Sequence, residues 1–274
     1  MNSMNVKSRA RRNPGDDPKF VAAICRKLKI EDDRCVEIES KWRILPKSIE
    51  DLKDYLRDKA GGRLKKSSIF FDQFLDTPNL DILKAGASMR LRYKGNGSKV
   101  YLQYKGPGFH RGGILFRSEF SSPPLRQVHR EESHHDIVQF TAVTVQEILR
   151  TQLDPAMAGA LQRHLGGRIL RRISNGPILC TYHKVKFAVD LGEALLEPSL
   201  DQVFAFQVVP GGLHALSTFC EYENEIKSEG GRLDAKLRHI PELVSFDKKL
   251  ARRFNLPPER MDKYHRCASC FLRG

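Results

Sequence analysis

Acidic residues recur at every second position in two short segments of this chain. One segment runs from Glu37 to Lys41 as Glu-Ile-Glu-Ser-Lys, and the other runs from Glu223 to Lys227 as Glu-Asn-Glu-Ile-Lys. In an extended strand, residues two apart lie on the same face, so each segment places two carboxylates side by side. Like charges in that arrangement repel each other unless something binds between them. Paired carboxylates supply the oxygen ligands that a hard divalent cation prefers.

Basic residues show the same spacing elsewhere in the chain. Arg90 and Arg92 share a strand face, as do Lys184 and Lys186. Such pairs suit phosphate oxygens, to which arginine donates forked hydrogen bonds. Any one of these charged faces, taken alone, is what a half-exposed antiparallel strand normally presents to water. The combination of acidic and basic pairs instead favours a site that holds a metal ion together with phosphate groups.

The segments that carry these residues are typical of short strands with helices between them. Alternation of apolar and polar residues predicts strands over 35–44, 68–75, 87–94, 99–105, 114–120, 168–174, 178–190, 204–209 and 219–228. Helices are predicted over 19–30, 48–60, 141–165, 232–244 and 246–255. Gly95-Asn96-Gly97 is a hairpin turn signal. If the apolar strand faces pack under the helices, the charged faces turn into a polar lumen.

Composition limits the partners of the chain. The net charge of +14 over 274 residues favours polyanionic partners. The chain lacks an apolar run of the roughly 20 residues that a spanning helix needs and lacks an apolar N-terminal segment, so we expect no membrane partner and no secretory signal. The one Cys-x-x-Cys, at Cys267 and Cys270, lacks the second pair of a structural zinc site, and free thiols fit a cytoplasmic location.

Seven motifs follow one another along the chain. They are Glu37-Ile-Glu-Ser-Lys41, the segment from Phe71 to Arg92, Tyr104-Lys-Gly-Pro, Arg117-Ser-Glu119, Asp190-Leu-Gly, Glu223-Asn-Glu-Ile-Lys227 and Asp262-Lys-Tyr264. In this order, across about residues 35–265, they resemble the signature of the CYTH, or triphosphate tunnel metalloenzyme, superfamily.

The resemblance implies an α+β fold, an eight-stranded antiparallel β tunnel that is closed and barrel-like, with helices packed outside. We assign residues 19–266 to this domain, residues 1–18 to a disordered basic tail and residues 267–274 to a C-terminal tail.

The resemblance also implies the residues of the site. Those matching the family's metal-binding acids are Glu37, Glu39, Asp190, Glu223 and Glu225, for magnesium or alternatively manganese. Those matching its triphosphate-binding residues are Lys41, Arg90, Arg92, Lys105 and Lys263. Arg172 and Lys184 are the two candidates for a further basic position. Lys41 and Glu119 are the expected catalytic residues.

The expected activity is metal-dependent hydrolysis of a triphosphate-containing small molecule. Inorganic triphosphate is favoured because no sequence feature marks a pocket for adenine and ribose. The alternatives are a class IV-type adenylyl cyclase, a thiamine or nucleoside triphosphatase, and a non-catalytic module that binds polyphosphate or nucleic acid. A nucleic-acid partner is disfavoured, because four or five carboxylates beside a phosphate chain are an electrostatic penalty unless a metal is bound.

Overall fold

Strands dominate the computed structural model, which describes residues 17–94, 99–126, 131–132, 138–139 and 142–272. The strands are β1 (Val36–Ile44), β2 (Arg63–Asp76), β3 (Ser88–Lys94), β4 (Val100–Lys105), β5 (Phe109–Arg111), β6 (Ile114–Ser121), β7 (Glu131–Glu132), β8 (Val138–Gln139), β9 (Ser174–Asp190), β10 (Ala194–Val209) and β11 (Gly212–Ser228). The helices are α1 (Pro18–Leu28), α2 (Ile49–Asp58), α3 (Asp81–Lys84), α4 (Ala142–Thr151), α5 (Pro155–Leu170), α6 (Leu233–Arg238), α7 (Ile240–Phe254) and α8 (Lys263–Phe271).

Eight of the strands form a ring. Their order is β1-β11-β10-β9-β2-β3-β4-β6, and β6 pairs back with β1. Every pairing in the ring is antiparallel. β6 closes the ring because residues 115–118 pair with β1 while residues 119–121 pair with β4. The expected eight-stranded antiparallel tunnel is confirmed, and β5 adds a short strand alongside β6.

The apolar core lies between the outside of the ring and the helices. In one part of it, Leu52 and Leu56 of α2 pack with Phe187 of β9 and Tyr222 of β11. The helices α1, α5 and α8 begin at aspartate caps, and at the start of α1 Asp17 accepts a hydrogen bond from the backbone of Lys19. Because the apolar faces point outward under helices, the alternating charged faces point into the ring.

Three sequence-based boundaries differ from the structure. Residues 168–174, expected as a strand, contain the end of α5, and β9 begins only at Ser174. Residues 267–271, expected in a tail, continue α8, which buries Cys267 with its Sγ atom 3.3 Å from that of Cys180. α1 already begins at Pro18, while the remainder of the expected basic tail, residues 1–16, lies outside the described residues. The expected turn at Gly95-Asn96-Gly97 also lies outside them.

Within the described part of the chain, no helix is both long and apolar enough to cross a membrane.

Candidate active site

A cavity of about 610 Å³ lies inside the ring. Its acidic lining residues are Glu37, Glu39, Glu119, Glu197, Glu223, Glu225 and Asp262. Its basic lining residues are Lys41, Lys66, Arg90, Arg92, Lys94, Lys99, Lys105, Arg117, Lys184, Lys186, Lys227 and Lys263. Among the described residues, basic side chains therefore exceed acidic ones by five in this lining. A cavity of this charge is suited to an anion, with acids available for a cation beside it.

Three carboxylates from neighbouring strands meet at one side of the cavity. Glu37 of β1, Glu119 of β6 and Glu225 of β11 each offer an oxygen within 4.8 Å of the other two. Burial, together with repulsion from Glu37 and Glu119, raises the pKa of Glu225 to about 7. The three oxygens form a donor set that suits a hard divalent cation. We name these three residues the open acid cluster, because all of them line the cavity.

Lysine and arginine partners hold the open acid cluster in place. Lys105 Nζ lies 2.7 Å from a carboxylate oxygen of Glu37 and 3.2 Å from one of Glu119. Burial opposes the ionisation of Glu37, but the charges of Lys105 and Arg117 outweigh that effect and lower its pKa well below the usual range. The pKa of Glu119 is also lowered, since Lys105 and Lys227 outweigh burial and the nearby Glu37. Both carboxyl groups are therefore ionised at neutral pH.

Glu39, expected as a metal ligand, lies outside the open acid cluster and is paired with Arg117. Arg117 Nη2 lies 2.7 Å from Glu39, while Arg117 Nε lies 2.7 Å from Glu37. Arg117 also reaches Asp262 at 3.3 Å. Sequence reasoning did not assign Arg117 to the site, although it stands two residues before Glu119 and so shares its strand face.

A second group of carboxylates is already filled by lysine. Asp201 of β10 and Glu221 and Glu223 of β11 each offer an oxygen within 4.8 Å of the others. The ammonium of Lys263 lies 2.7 Å from Asp201, 2.8 Å from Glu223 and in contact with Glu221. Asp201 and Glu221 are fully buried and do not line the cavity. We name Asp201, Glu221 and Glu223 the sealed acid cluster, because Lys263 stands between Asp201, Glu221 and the cavity.

Two more lysines complete the sealed acid cluster. Lys184 lies 3.0 Å from Asp201 and 2.9 Å from Glu223. Lys41 lies 2.8 Å from Glu223. Burial alone would lower the pKa of Lys263, but the three carboxylates of this cluster raise it well above its ordinary value. Lys263 therefore remains a cation fixed within the protein.

One buried acid orients the arginines of β3. Arg92 donates to both carboxylate oxygens of Asp72 at 2.7 and 2.8 Å, and Arg90 Nη1 lies 3.0 Å from the same residue. Burial alone would raise the pKa of Asp72, but the two guanidinium groups outweigh that effect and lower the pKa to about 2. Asp72 was missed in the sequence because it is a lone acid between Phe70 and Phe74 on the inward face of β2. Its role is visible only when β2 is paired with β3.

Two expected site residues lie outside the cavity. Arg172 precedes β9, is 42% exposed in its side chain and lies 3.9 Å from Asp81. Asp190 lies on the same face of β9 as Lys184, but it is the last residue of the strand and does not line the cavity. It is exposed and accepts a hydrogen bond from the backbone N–H of Gly192 at 2.8 Å. Both assignments are corrected. The other expected residues line the cavity: Glu37, Glu39, Lys41, Arg90, Arg92, Lys105, Glu119, Lys184, Glu223, Glu225 and Lys263.

Several solved structures resemble this chain. A candidate adenylyl cyclase from Hippeastrum, described as having a dominant triphosphatase activity, is 14% identical, with a TM-score of 0.52 and coverage of 85% of this chain and 95% of that chain. At this identity the likeness shows the fold alone. A candidate adenylate cyclase from Bacillus halodurans is 15% identical (TM-score 0.47, 83% and 94% covered). A Mimivirus capping enzyme triphosphatase is 9% identical (TM-score 0.42, 85% and 96% covered).

No curated protein matches the chain in sequence. The family model of the CYTH domain matches residues 36–254, from the first residue of β1 to the last residue of α7. This match covers most of the chain and all eight strands of the ring, and the chain therefore belongs to the CYTH domain family.

Proposed function

We propose that this protein hydrolyses a triphosphate in its tunnel with the help of a divalent cation, and that inorganic triphosphate is the favoured substrate. The observation that carries the proposal is the open acid cluster, Glu37, Glu119 and Glu225, in the same cavity as Arg90 and Arg92. Acids alone would suit a cation and arginines alone would suit phosphate. Their presence in one cavity fits a phosphate chain with its metal ion.

The open acid cluster would hold the metal, with magnesium favoured and manganese as the alternative. Burial, together with repulsion from Glu37 and Glu119, raises the pKa of Glu225 although Lys227 contacts it, and a divalent cation would relieve that repulsion. In the sealed acid cluster, Lys263 already contacts all three carboxylates. A divalent cation bound to phosphate oxygens acts as a Lewis acid and neutralises charge that develops on the reacting phosphoryl group. Glu119 is thereby proposed as a metal ligand rather than as a proton donor, because its lowered pKa keeps it ionised.

The basic residues would bind and orient the phosphates. Asp72 holds Arg90 and Arg92 in fixed positions, so their donors need not reorganise during the reaction. Lys41 is almost fully buried, and the surrounding carboxylates raise its pKa despite burial, so it carries a permanent charge into the cavity. In the reaction, a water oxygen forms a bond to the terminal phosphorus as the bond from that phosphorus to the bridging oxygen breaks.

Release of phosphate from a panel of triphosphates tests this proposal. Inorganic triphosphate, thiamine triphosphate and ATP would each be assayed with magnesium, manganese or a chelator, and ATP reactions would also be assayed for cyclic AMP. We expect inorganic triphosphate to be cleaved fastest and the chelator to abolish cleavage. Binding without release of phosphate or cyclic AMP would instead identify a non-catalytic module, and cyclic AMP as the main product would identify a cyclase.

A pair of variants makes the assay specific to the tunnel. Glu37→Gln removes one carboxylate of the open acid cluster while keeping its shape, and we expect it to abolish metal-dependent turnover. Glu50→Gln, at an exposed position of α2, is the matched control. Equal turnover in the two variants would refute the metal assignment.

A further inference from the structure

His265 lies in the first turn of α8, does not line the tunnel cavity and is held at both ring nitrogens. Its Nδ1 lies 2.8 Å from Oδ1 of Asp262, and its Nε2 lies 3.1 Å from the backbone carbonyl oxygen of Leu83. An ionised carboxylate and a carbonyl oxygen can only accept hydrogen bonds. Either neutral tautomer of His265 would therefore point a nitrogen lone pair at an acceptor. Only the imidazolium form, which donates from both nitrogens, satisfies both contacts together.

The surroundings of His265 favour this protonated form. Burial alone would lower the pKa of His265, but the hydrogen bond from the ring to Asp262 and the charge of Asp262 outweigh burial and raise it. Burial instead lowers the pKa of the nearby His110, so His110 loses its proton at a lower pH than His265 does. The charged or titratable groups around the ring are Asp262, Arg117, Tyr264 and, around a second cavity of about 370 Å³ that His265 lines, Arg260 and His110.

Asp262 connects His265 to the open acid cluster through Arg117. The second carboxylate oxygen of Asp262, Oδ2, lies 3.3 Å from Nη1 of Arg117. Nε of Arg117 lies 2.7 Å from Glu37, and Nη2 lies 2.7 Å from Glu39. Each nitrogen of this guanidinium group thus faces a different carboxylate. The orientation of Arg117, and with it the position of the Glu37 carboxylate, therefore depends on Asp262 being held in place.

The ring contact exceeds what the start of α8 requires. Asp262 is the N-cap of this helix, and its Oδ1 already accepts a hydrogen bond from the backbone N–H of His265 at 2.9 Å. Any residue other than proline could supply that backbone donor. The additional donation from the imidazole to the same oxygen therefore acts on the Asp262 carboxylate rather than on the helix end.

We propose that His265 is a positioning residue for triphosphate hydrolysis, acting as an imidazolium that holds Asp262, and through it Arg117, in the orientation that presents Glu37 to the metal ion. This inference rests on the proposed function for the role of Glu37. Because His265 contacts neither the tunnel cavity nor the open acid cluster, its replacement should lower turnover without abolishing it. Arg90 and Arg92 are held separately by Asp72, so binding of the phosphates should change little.

Phosphate release from inorganic triphosphate with magnesium, measured across a range of pH for the wild type and for His265→Gln, tests the proposal. Glutamine keeps hydrogen-bonding groups at this position but carries no charge. Below the pKa of His265 we expect about tenfold lower kcat in the variant with nearly unchanged KM, since loss of a partner outside the metal ligands typically costs about 10- to 100-fold. Above that pKa the wild-type ring is neutral, and the two proteins should converge. Their ratio cancels ionisations that both share, such as that of Glu225.

NMR titration of the histidine ring protons supplies the pKa of His265 independently of activity. The signal that is missing from His265→Gln identifies this residue. We expect its pKa to lie above the ordinary value of 6.5. His214→Gln, at an exposed position of β11, is the matched control and should keep wild-type activity at every pH.

A pKa of His265 below its ordinary value would overturn the inference. A ratio of wild-type to variant activity that does not change with pH would also overturn it, because the ring would then act by packing rather than by its charge. Both results leave the proposed function intact as long as the wild type releases phosphate. A wild-type protein that releases no phosphate at any pH would instead refute the proposed function, and this inference with it.

Discussion

At the scale of single residues, the tunnel wall is a set of mutual ion pairs. Asp72 fixes Arg90 and Arg92, and Arg117 joins Glu37 to Glu39. A buried ion pair stabilises the folded state little more than apolar packing would, but removal of one partner leaves an unpaired buried charge and destabilises the fold. The arrangement is therefore better understood as positioning charge for a ligand than as stabilising the fold.

Two arginines of the chain offer a matched test of the basic wall. Arg90→Ala should weaken the affinity for inorganic triphosphate by about 10- to 100-fold, since a hydrogen bond to a charged group contributes roughly 1.5–3 kcal/mol. Arg172→Ala should leave the affinity unchanged, because Arg172 lies outside the cavity. Calorimetry in chelator measures both. A larger loss in Arg172→Ala than in Arg90→Ala would show that the wall has been misplaced.

Removal of the Lys263 ammonium should destabilise the folded state strongly. Lys263→Met leaves Asp201 and Glu221 buried without their nearest cation, and removal of one partner of a buried ion pair costs about 3–5 kcal/mol. We expect urea unfolding at pH 7 to show a loss of that size. Lys47→Met, at an exposed position, should change the free energy of unfolding by less than about 0.5 kcal/mol. Similar losses in both variants would mean that the sealed acid cluster does not depend on Lys263.

Repeated charges along one strand made much of the cavity lining predictable from sequence. Glu37, Glu39, Glu223 and Glu225 stand out because each acid has a like-charged neighbour two residues away. Asp72 and Asp201 have no such neighbour, and their partners come from adjacent strands. Residues of that kind become recognisable only once strand pairing and register are known.

At the scale of elements, one polar network joins α7 to the outside of the ring. Asp247 of α7 accepts hydrogen bonds from Tyr222 at 2.7 Å, from Asn224 at 2.8 Å and from Ser40. Asp247 is 2% exposed, and burial raises the pKa of its carboxyl group to about 6 despite these donors. The helix is thus docked through a group that titrates near neutral pH.

Asp247 should impose a pH dependence on stability. Because its folded pKa lies above the ordinary value of 3.8, its protonation favours the folded state; this contribution is complete below about pH 3.8 and is lost as the pH rises through about 6. Asp247→Asn removes the titration. We expect the free energy of unfolding of the variant, relative to wild type, to rise between pH 4 and 7 by up to about 3 kcal/mol. A difference independent of pH, measured by urea unfolding, would contradict the assignment.

Strand boundaries were harder to predict than strand identity. Only residues 204–209 were expected as a strand where β10 extends from Ala194 to Val209. Pro198 obscures the pattern, because proline cannot donate a ladder hydrogen bond. In β10, Leu196 and Ser199 pair with β9, but residues 197 and 198 between them do not. Pro198 therefore lies where no hydrogen bond to β9 is required.

At the scale of the whole molecule, closure of the ring brings the charged strand faces together around a cavity. The same alternation on an open sheet would expose its ionic face to water. In the ring those faces enclose one cavity, and the helices cover the apolar side. The ordered motifs predicted this architecture. They did not predict which acids remain available to a ligand, because that depends on which carboxylates the side chains of Lys263 and Arg117 contact.

A crystal structure with manganese and an uncleavable triphosphate analogue tests the central claim most directly, because anomalous scattering locates the metal independently of activity. We predict one anomalous peak bound by Glu37, Glu119 and Glu225, with the phosphates running from it toward Arg90 and Arg92 inside the ring. A peak at Asp201, Glu221 and Glu223, or an analogue bound outside the cavity, would contradict the account.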